Sequence, residues 1–400
     1  MKRIVAILLA VTMIFALAAC STGSDDKAST PPSQSATPPS TPSNSGPASS
    51  SSPPSEAPTI ADPFGGAGTV GFVTDEVDHW AREEYNIVYY NFQVTILTGG
   101  ITDAFEKLGK AYNFKLEQLT ANGNTDMYIN ILQTILLKEP DGIIVDVRPE
   151  NAPRVSEILE DYAIPSVCLQ NKPVDTTGTT LLPCVIMDQI HNGRRLVEYL
   201  DEVYTDYWGD IDKSEIMLLI LDWSTNVDIN LRAQGAEQMW KELYGDQPFI
   251  YGDTASGGLN AESGYATGNS IIAANPEVKY WFIVGTTEDI TLGCTRAVEA
   301  LGKEDSTLIA ATGVSTLPGE WDAGYDGCWI AIYYVPPAMY AGPAIFGLLA
   351  MIDGRATMDD LWSEYVLPGD KAPRLTIPAD VVTRENYKSY NDEVMKGFGI

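Results

Sequence analysis

The sequence holds only two histidines, His79 and His191, and neither stands in a triad-like or HExxH spacing. It has no GxxxxGK phosphate loop and no GxGxxG after a strand, so nucleotide and dinucleotide chemistry has no foothold. Gly209-Asp210-Ile211-Asp212 lacks the glycine and terminal glutamate of a calcium loop. Basic residues are few: 25 Lys and Arg against 54 Asp and Glu give a net charge of −29. A surface of that sign repels phosphate backbones, which excludes nucleic acid as a partner. Beyond Cys20 the cysteines, Cys168, Cys184, Cys294 and Cys328, stand far apart with no CxxC, so no metal site is expected. Their apolar neighbours mark them as buried free thiols, a Cys168–Cys184 disulfide being the alternative. No cofactor is implied. The surplus of carboxylates leaves one enzyme class open, a glycosidase working with a carboxylate pair.

What is present begins at the N-terminus. Lys2 and Arg3 precede an apolar run from Ile4 to Ala19, sixteen residues interrupted only by Thr12. That is a charged region followed by a signal-like core, shorter than the ~20 residues that cross a bilayer. It ends in Leu17-Ala18-Ala19-Cys20, which resembles the lipobox of bacterial lipoproteins. The resemblance implies a signal peptide over 1–19 and lipid attachment at Cys20, two signals' worth of anchoring on one thiol. From Ser29 to Ser55, 22 of 27 residues are Ser, Thr or Pro, too little to bury. Residues 20–68 therefore read as a semi-rigid tether with a reach on the order of 100 Å.

From Thr69 onward short apolar runs alternate with helical periodicity. Asn86–Phe92, Phe114–Leu119, Gly142–Val147, Ile164–Leu169 and Cys184–Asp188 read as strands. Between them Ile101, Ala104, Phe105, Leu108 and Tyr112 share one helical face, as do Tyr128, Ile131, Leu132, Ile135 and Leu136. The pattern repeats with strands at Ile216–Leu221, Tyr280–Val284, Thr307–Ala311 and Trp329–Tyr334. Two sets of βα units predict two α/β lobes with a cleft beyond the carboxyl ends of their strands. The residues themselves stop at a two-lobed binder or enzyme.

Several stretches carry a resemblance. Asp141-Gly142-Ile143-Ile144-Val145, Ala163-Ile164-Pro165-Ser166-Val167, Met187-Asp188-Gln189, Arg232-Ala233-Gln234-Gly235, Asn275-Pro276 and Thr287-Glu288-Asp289 fall in the order found in type I periplasmic binding proteins of the ribose and galactose class. The resemblance implies two Rossmann-like lobes with parallel sheets joined by a three-strand hinge. Lobe one would be 69–188 plus 335–362, and lobe two 189–334 plus 363–400. It implies a monomer that captures a small polar ligand, a sugar, for an ABC permease and its ATPase, touching the membrane only through its lipid. A lipoprotein reporting to a sensor kinase or chemoreceptor is the alternative. A repressor of this fold would carry a DNA-binding helix-turn-helix where this chain has its signal and tether.

The resemblance also implies the ligand-facing positions. Arg232 would donate to hydroxyls, and a surface arginine is the plainer alternative. Asp188 would accept from a hydroxyl or pin the hinge. Gln170 and Asn171 end a strand, and Gln93 and Thr95 start a helix whose free N–H groups favour oxygens. Thr287, Ser315 and Tyr334 stand where longer polar readers are usual, which predicts a larger or less hydroxylated solute. Tyr90, Phe92 and Trp223 could stack on a sugar ring or serve as core. Residues 71–82, with His79 and Trp80, would cap the cleft or cover lobe one. The anchor is tested by Cys20→Ala, which should move the protein from the membrane fraction to the medium while precursor accumulates. Retention in the membrane after that change and removal of the signal would refute the lipobox.

Overall fold

The computed structural model describes residues 77–400, except 359, 360 and 378. The signal, Cys20, the tether and residues 69–76 lie outside the described residues. The alternation expected from the sequence is present. The first lobe builds a six-stranded sheet from β1 (Tyr85–Asn91), β2 (Phe114–Thr120), β3 (Gly142–Val145), β4 (Ser166–Gln170) and β5 (Cys184–Met187), with β11 (Arg374–Ile377) at its edge. Its order is β11-β5-β4-β3-β1-β2, and every pairing is parallel. The second lobe's sheet runs β12-β10-β9-β8-β6-β7, from β6 (Ile216–Asp222), β7 (Phe249–Asp253), β8 (Tyr280–Gly285), β9 (Thr307–Gly313), β10 (Trp329–Tyr334) and β12 (Asp380–Thr383). Only β12 is antiparallel to its neighbour. The buried strand β3, GIIV, shows why these runs are apolar throughout, since parallel strands are covered on both faces.

The chain crosses between the lobes three times: after β5, after β10 and between β11 and β12. Within the span 363–400, which the sequence assigns to lobe two, β11 completes the first sheet against β5. A four-residue edge strand, RLTI, is too short to advertise its sheet in the sequence.

Helices position the lobe walls. In the first lobe α1 (Ile96–Tyr112), α2 (Thr125–Leu136), α3 (Ala152–Tyr162) and the long α9 (Pro337–Ile352) flank the sheet. Every residue of α9 from Ala338 to Met351 is buried, so this helix is core rather than cover. In the second lobe α4 (Gln189–Trp208), α5 (Val227–Tyr244), α6 (Ala261–Ala274), α7 (Glu288–Ala300) and α8 (Thr316–Asp322) do the same, and α10 (Tyr387–Gly397) ends the chain. The four cysteines of the lobes are free and buried as expected, and Cys168 and Cys184 face each other across β4 and β5 without a disulfide. Residues 77–82 cover lobe one. Arg82 donates to the carbonyls of Tyr112 and Asn113 at 2.9 and 2.8 Å, and Asn113 Nδ2 donates to that of His79 at 2.8 Å. Trp80 stands out into solvent, 67% exposed.

Helices α4 and α5 meet backbone to backbone. A Cβ on Gly193 would lie 1.8 Å from the Arg232 carbonyl oxygen, and one on Gly235 2.1 Å from that of Ile190. Neither obstacle is a side chain that can swing away. Gly193→Ala should therefore force the helices apart and cost about 3 kcal/mol. Urea titration checks this, and an unchanged midpoint would mean that the two helices approach less closely than described here.

Candidate ligand site between the lobes

The carboxyl ends of the parallel strands of both sheets converge on one region. From lobe one come Asn91 at the end of β1, Asp146 just past β3, and Gln170 and Asn171 at the end of β4. From lobe two come Asp222 ending β6, Thr286 and Thr287 past β8, and Asp228 and Arg232 on the first turns of α5. Tyr340 of α9 lies between them, its hydroxyl feeling the charges of Arg232 and Asp228 from one lobe and Asp146 from the other.

Neighbouring elements of the same lobe hold several of these polar groups. Asp146 accepts a 2.6 Å hydrogen bond from Asn171 Nδ2, and burial pushes its carboxyl up to about 6. Gln170 occupies a left-handed backbone conformation, φ 69°, and points its amide at the Tyr89 hydroxyl at 3.4 Å. Asn230 Nδ2 donates to Asp222 at 2.6 Å. Burial, with Asp253 nearby, raises the Asp222 carboxyl above its ordinary range. Asp228 is raised by burial too, against the pull of Lys172, Arg232 and Arg148. Two of those three cations reach it from the opposite lobe.

Arg232 was read as a donor to ligand hydroxyls. Its Nε and Nη1 donate to Gln189 Oε1 and the Thr286 carbonyl, each at 2.6 Å. The guanidinium ties α5 to α4 and to the β8 end, and its fork is oriented before any ligand arrives. Asp188 caps α4, accepting from the His191 N–H at 2.9 Å, and its side chain is exposed.

The remaining expected residues divide. Phe92 is half-buried beneath Arg148, whose guanidinium lies 4.9 Å from the ring centre, and Trp223 is half-buried at the β6 end. Gln93 and Thr95 are exposed, and Thr95 caps α1. Tyr90 is core: its ring stacks on Tyr128 at 4.5 Å and its hydroxyl donates to the Tyr128 carbonyl. Tyr334 points away, donating to Asn391 at 3.2 Å, while its neighbour Tyr333 feels Asp188 and Tyr340. A pleated strand turns alternate side chains to opposite faces, so only one tyrosine of the pair can face the hinge. Ser315 is exposed, and its N–H is one of three that Glu288 accepts, with Val314 and Thr316, at 2.7–3.1 Å. Thr287 is buried at the start of α7.

Asn91, Asp146, Asp222, Asp228 and Thr286 were not anticipated. Position at a strand's carboxyl end was the available signal, since Asn91 and Asp222 are polar residues closing apolar runs. Asn91 is buried with neither amide atom hydrogen-bonded, and the buried Thr287 Oγ1 has no partner either, while Asp222 and the Thr286 hydroxyl face one another beside them. Buried polar atoms are almost always satisfied, so a cluster left open at one place marks where another molecule supplies the partners.

The raised Asp146 carboxyl makes a titration prediction. Its ionised form is disfavoured in the fold, so this destabilisation is absent below the ordinary carboxylate value near 4 and complete above about 6. Wild type should lose stability relative to Asp146→Asn across that window, by about 3 kcal/mol, and no further above it. Denaturant titrations of both proteins from pH 4 to 7 check this, and a constant difference would mean that Asp146 is not buried as a charge.

Comparison with known proteins places this geometry. Residues 99–318 match the model for periplasmic binding proteins and the sugar-binding domain of the LacI family. The L-arabinose-binding periplasmic protein of Escherichia coli K12 is 23% identical over 304 residues, covering 74% of this chain and 85% of that protein. Among solved structures, an ABC transporter solute-binding protein of Bacillus halodurans C-125 with bound myo-inositol superposes with a TM-score of 0.58 at 17% identity, over 78% of this chain and 98% of its own. A sugar-binding protein of a Bacillus halodurans sugar ABC transporter gives 0.61 at 16%, over 76% and 99%. At such identities the structural likeness speaks to the fold. The family model spans more than half of the sequence, and the chain belongs to the type I periplasmic binding proteins.

Proposed function

We propose that this protein is an extracellular, lipid-anchored receptor that closes its lobes on a neutral polyhydroxylated ring, a sugar or cyclitol, and delivers it to an ABC permease. The observation that carries the reading is the set of unpartnered buried polar atoms on Asn91 and Thr287, beside the facing Asp222 and Thr286 side chains. An amide, a carboxylate oxygen and two hydroxyls together offer donors and acceptors on both lobes, which is what adjacent ligand hydroxyls need. Charge balance favours neutrality. Asp146, Asp222 and Asp228 stand among Arg148, Lys172 and Arg232, so the chain's overall −29 is not concentrated at the cleft. Phe92 and Trp223 at the rim would cover the apolar face of a ring. The Cys20 anchor and tether would let the receptor meet its permease at the membrane. A binding protein leaves its ligand chemically unchanged, and the role assigned here requires no catalytic step.

A thermal-shift screen with D-galactose, D-ribose, L-arabinose and myo-inositol tests the reading. A ligand at a hundredfold excess over its dissociation constant stabilises by about 2.7 kcal/mol, a shift of several degrees. Asn91→Leu supplies the sharper check. It removes two buried orphaned atoms at similar volume, so the ligand-free protein should be as stable as wild type or more so. The response to the best of the four should disappear. A full response in Asn91→Leu, or none to any of the four in wild type, would reject this site or this ligand class respectively.

A further inference from the structure

The last helix touches both lobes. Helix α10 grows out of lobe two, four residues after β12 ends, and its first turns pack there. Tyr387 donates to Asp322 at 2.6 Å with its ring 5.1 Å from Trp321 of α8, and Lys388 pairs with the same carboxylate at 2.7 Å. Tyr390 lies 6.0 Å from Tyr334 of β10, which also holds Asn391. Eleven residues of helix then carry the chain about 16 Å.

Its far end docks on lobe one. Phe398 is buried against Phe346 of α9 at 5.9 Å, seated where α9 has no side chain: a Cβ on Gly342 would lie 2.3 Å from the Phe398 ring. Tyr112, the last residue of α1, donates its hydroxyl to the Phe398 carbonyl at 3.1 Å. Val394, between the two ends, is fully buried. This arrangement coexists with the cross-cleft approach of Asp228 to Arg148 and Lys172.

We propose that α10 is an interlobe strap, a fourth and non-covalent link that holds the lobes near this arrangement and limits how far the cleft opens. The three covalent crossings allow rotation, because each is only a few residues of backbone. The strap opposes it, because swinging lobe one away must draw Phe398 out of the Gly342 slot or slide Tyr387 and Tyr390 off lobe two. The ligand then works against a pre-set opening, and the strap's two ends tune affinity from outside the site.

The test needs no ligand, so its outcome stands apart from that of sugar capture. Spin labels go on Val94→Cys and Val227→Cys in the full chain carrying Cys20→Ala. These positions are 56% and 74% exposed, on the loop leaving β1 and at the first residue of α5, whereas the four lobe cysteines are buried. Two changes release the lobe-one end: Tyr112→Phe, which deletes the hydrogen bond to the Phe398 carbonyl, and a chain ending at Gly397, which removes Phe398. Pulsed dipolar distances in the ligand-free protein should lengthen in both, more in the truncation, with the open population rising about tenfold there. Circular dichroism should stay that of wild type. Should the truncation fail to fold, Tyr112→Phe decides alone. Distances unchanged from wild type in the folded variants would overturn the strap.

Discussion

Backbone-to-backbone contact between α4 and α5 is the constraint on which the second lobe's wall depends. With hydrogen atoms in place of side chains at Gly193 and Gly235, the helices come close enough for Arg232 to reach Gln189 on one side and the Thr286 carbonyl on the other. That single guanidinium fixes the start of α5, where Asp228 sits, relative to the end of β8, where Thr286 and Thr287 sit. A wider spacing would leave a buried cation without its acceptors and loosen three elements of the site together. The same device recurs between α6 and α7, where Gly264 and Gly293 each face a carbonyl of the other helix.

The site's electrostatics follow from burial. Strand ends deliver carboxylates into a region screened from water, and each is offset by an amide donor or an opposing guanidinium or ammonium group. Asp146 and Asn171, and Asp222 and Asn230, are the same solution on the two lobes: an amide nitrogen 2.6 Å away orients a carboxylate at a strand end. Fixed dipoles of this kind need no rearrangement when a ligand enters, and the price is a set of polar atoms left unsatisfied until it does.

Much of this architecture was legible. Long apolar runs located β1, β3, β6 and β8, and helical periodicity located α1 and α2, because these elements are covered by partners of ordinary size. What escaped was short, small or at an edge. Helix α6, AESGYATGNSIIAA, has no wide apolar stripe, since it packs on α7 through glycines rather than through large side chains. Strand β7 lies at the sheet edge with four of its five residues at least partly exposed, so its hydrophobic signal is diluted. At the site, Arg232 was found by its motif but its bonding was not, because a motif carries position and not the identity of the acceptor. Tyr90 was placed by proximity to a strand end and Tyr334 by the resemblance, and the pleat sent both to the other face.

The sheets were described by strand order, and that order has a bearing on how the chain acquires its structure. Strands β11 and β12 lie at residues 374–383, yet each forms an edge of a sheet begun far upstream, one per lobe. During synthesis neither lobe can complete its sheet until residues 374–383 have emerged. Pairing Arg374–Ile377 with Cys184–Met187 closes a loop of nearly two hundred residues, the kind of non-local contact that slows folding. A chain built this way stays incompletely folded through most of its elongation, a state that suits threading across a membrane before the lobes assemble.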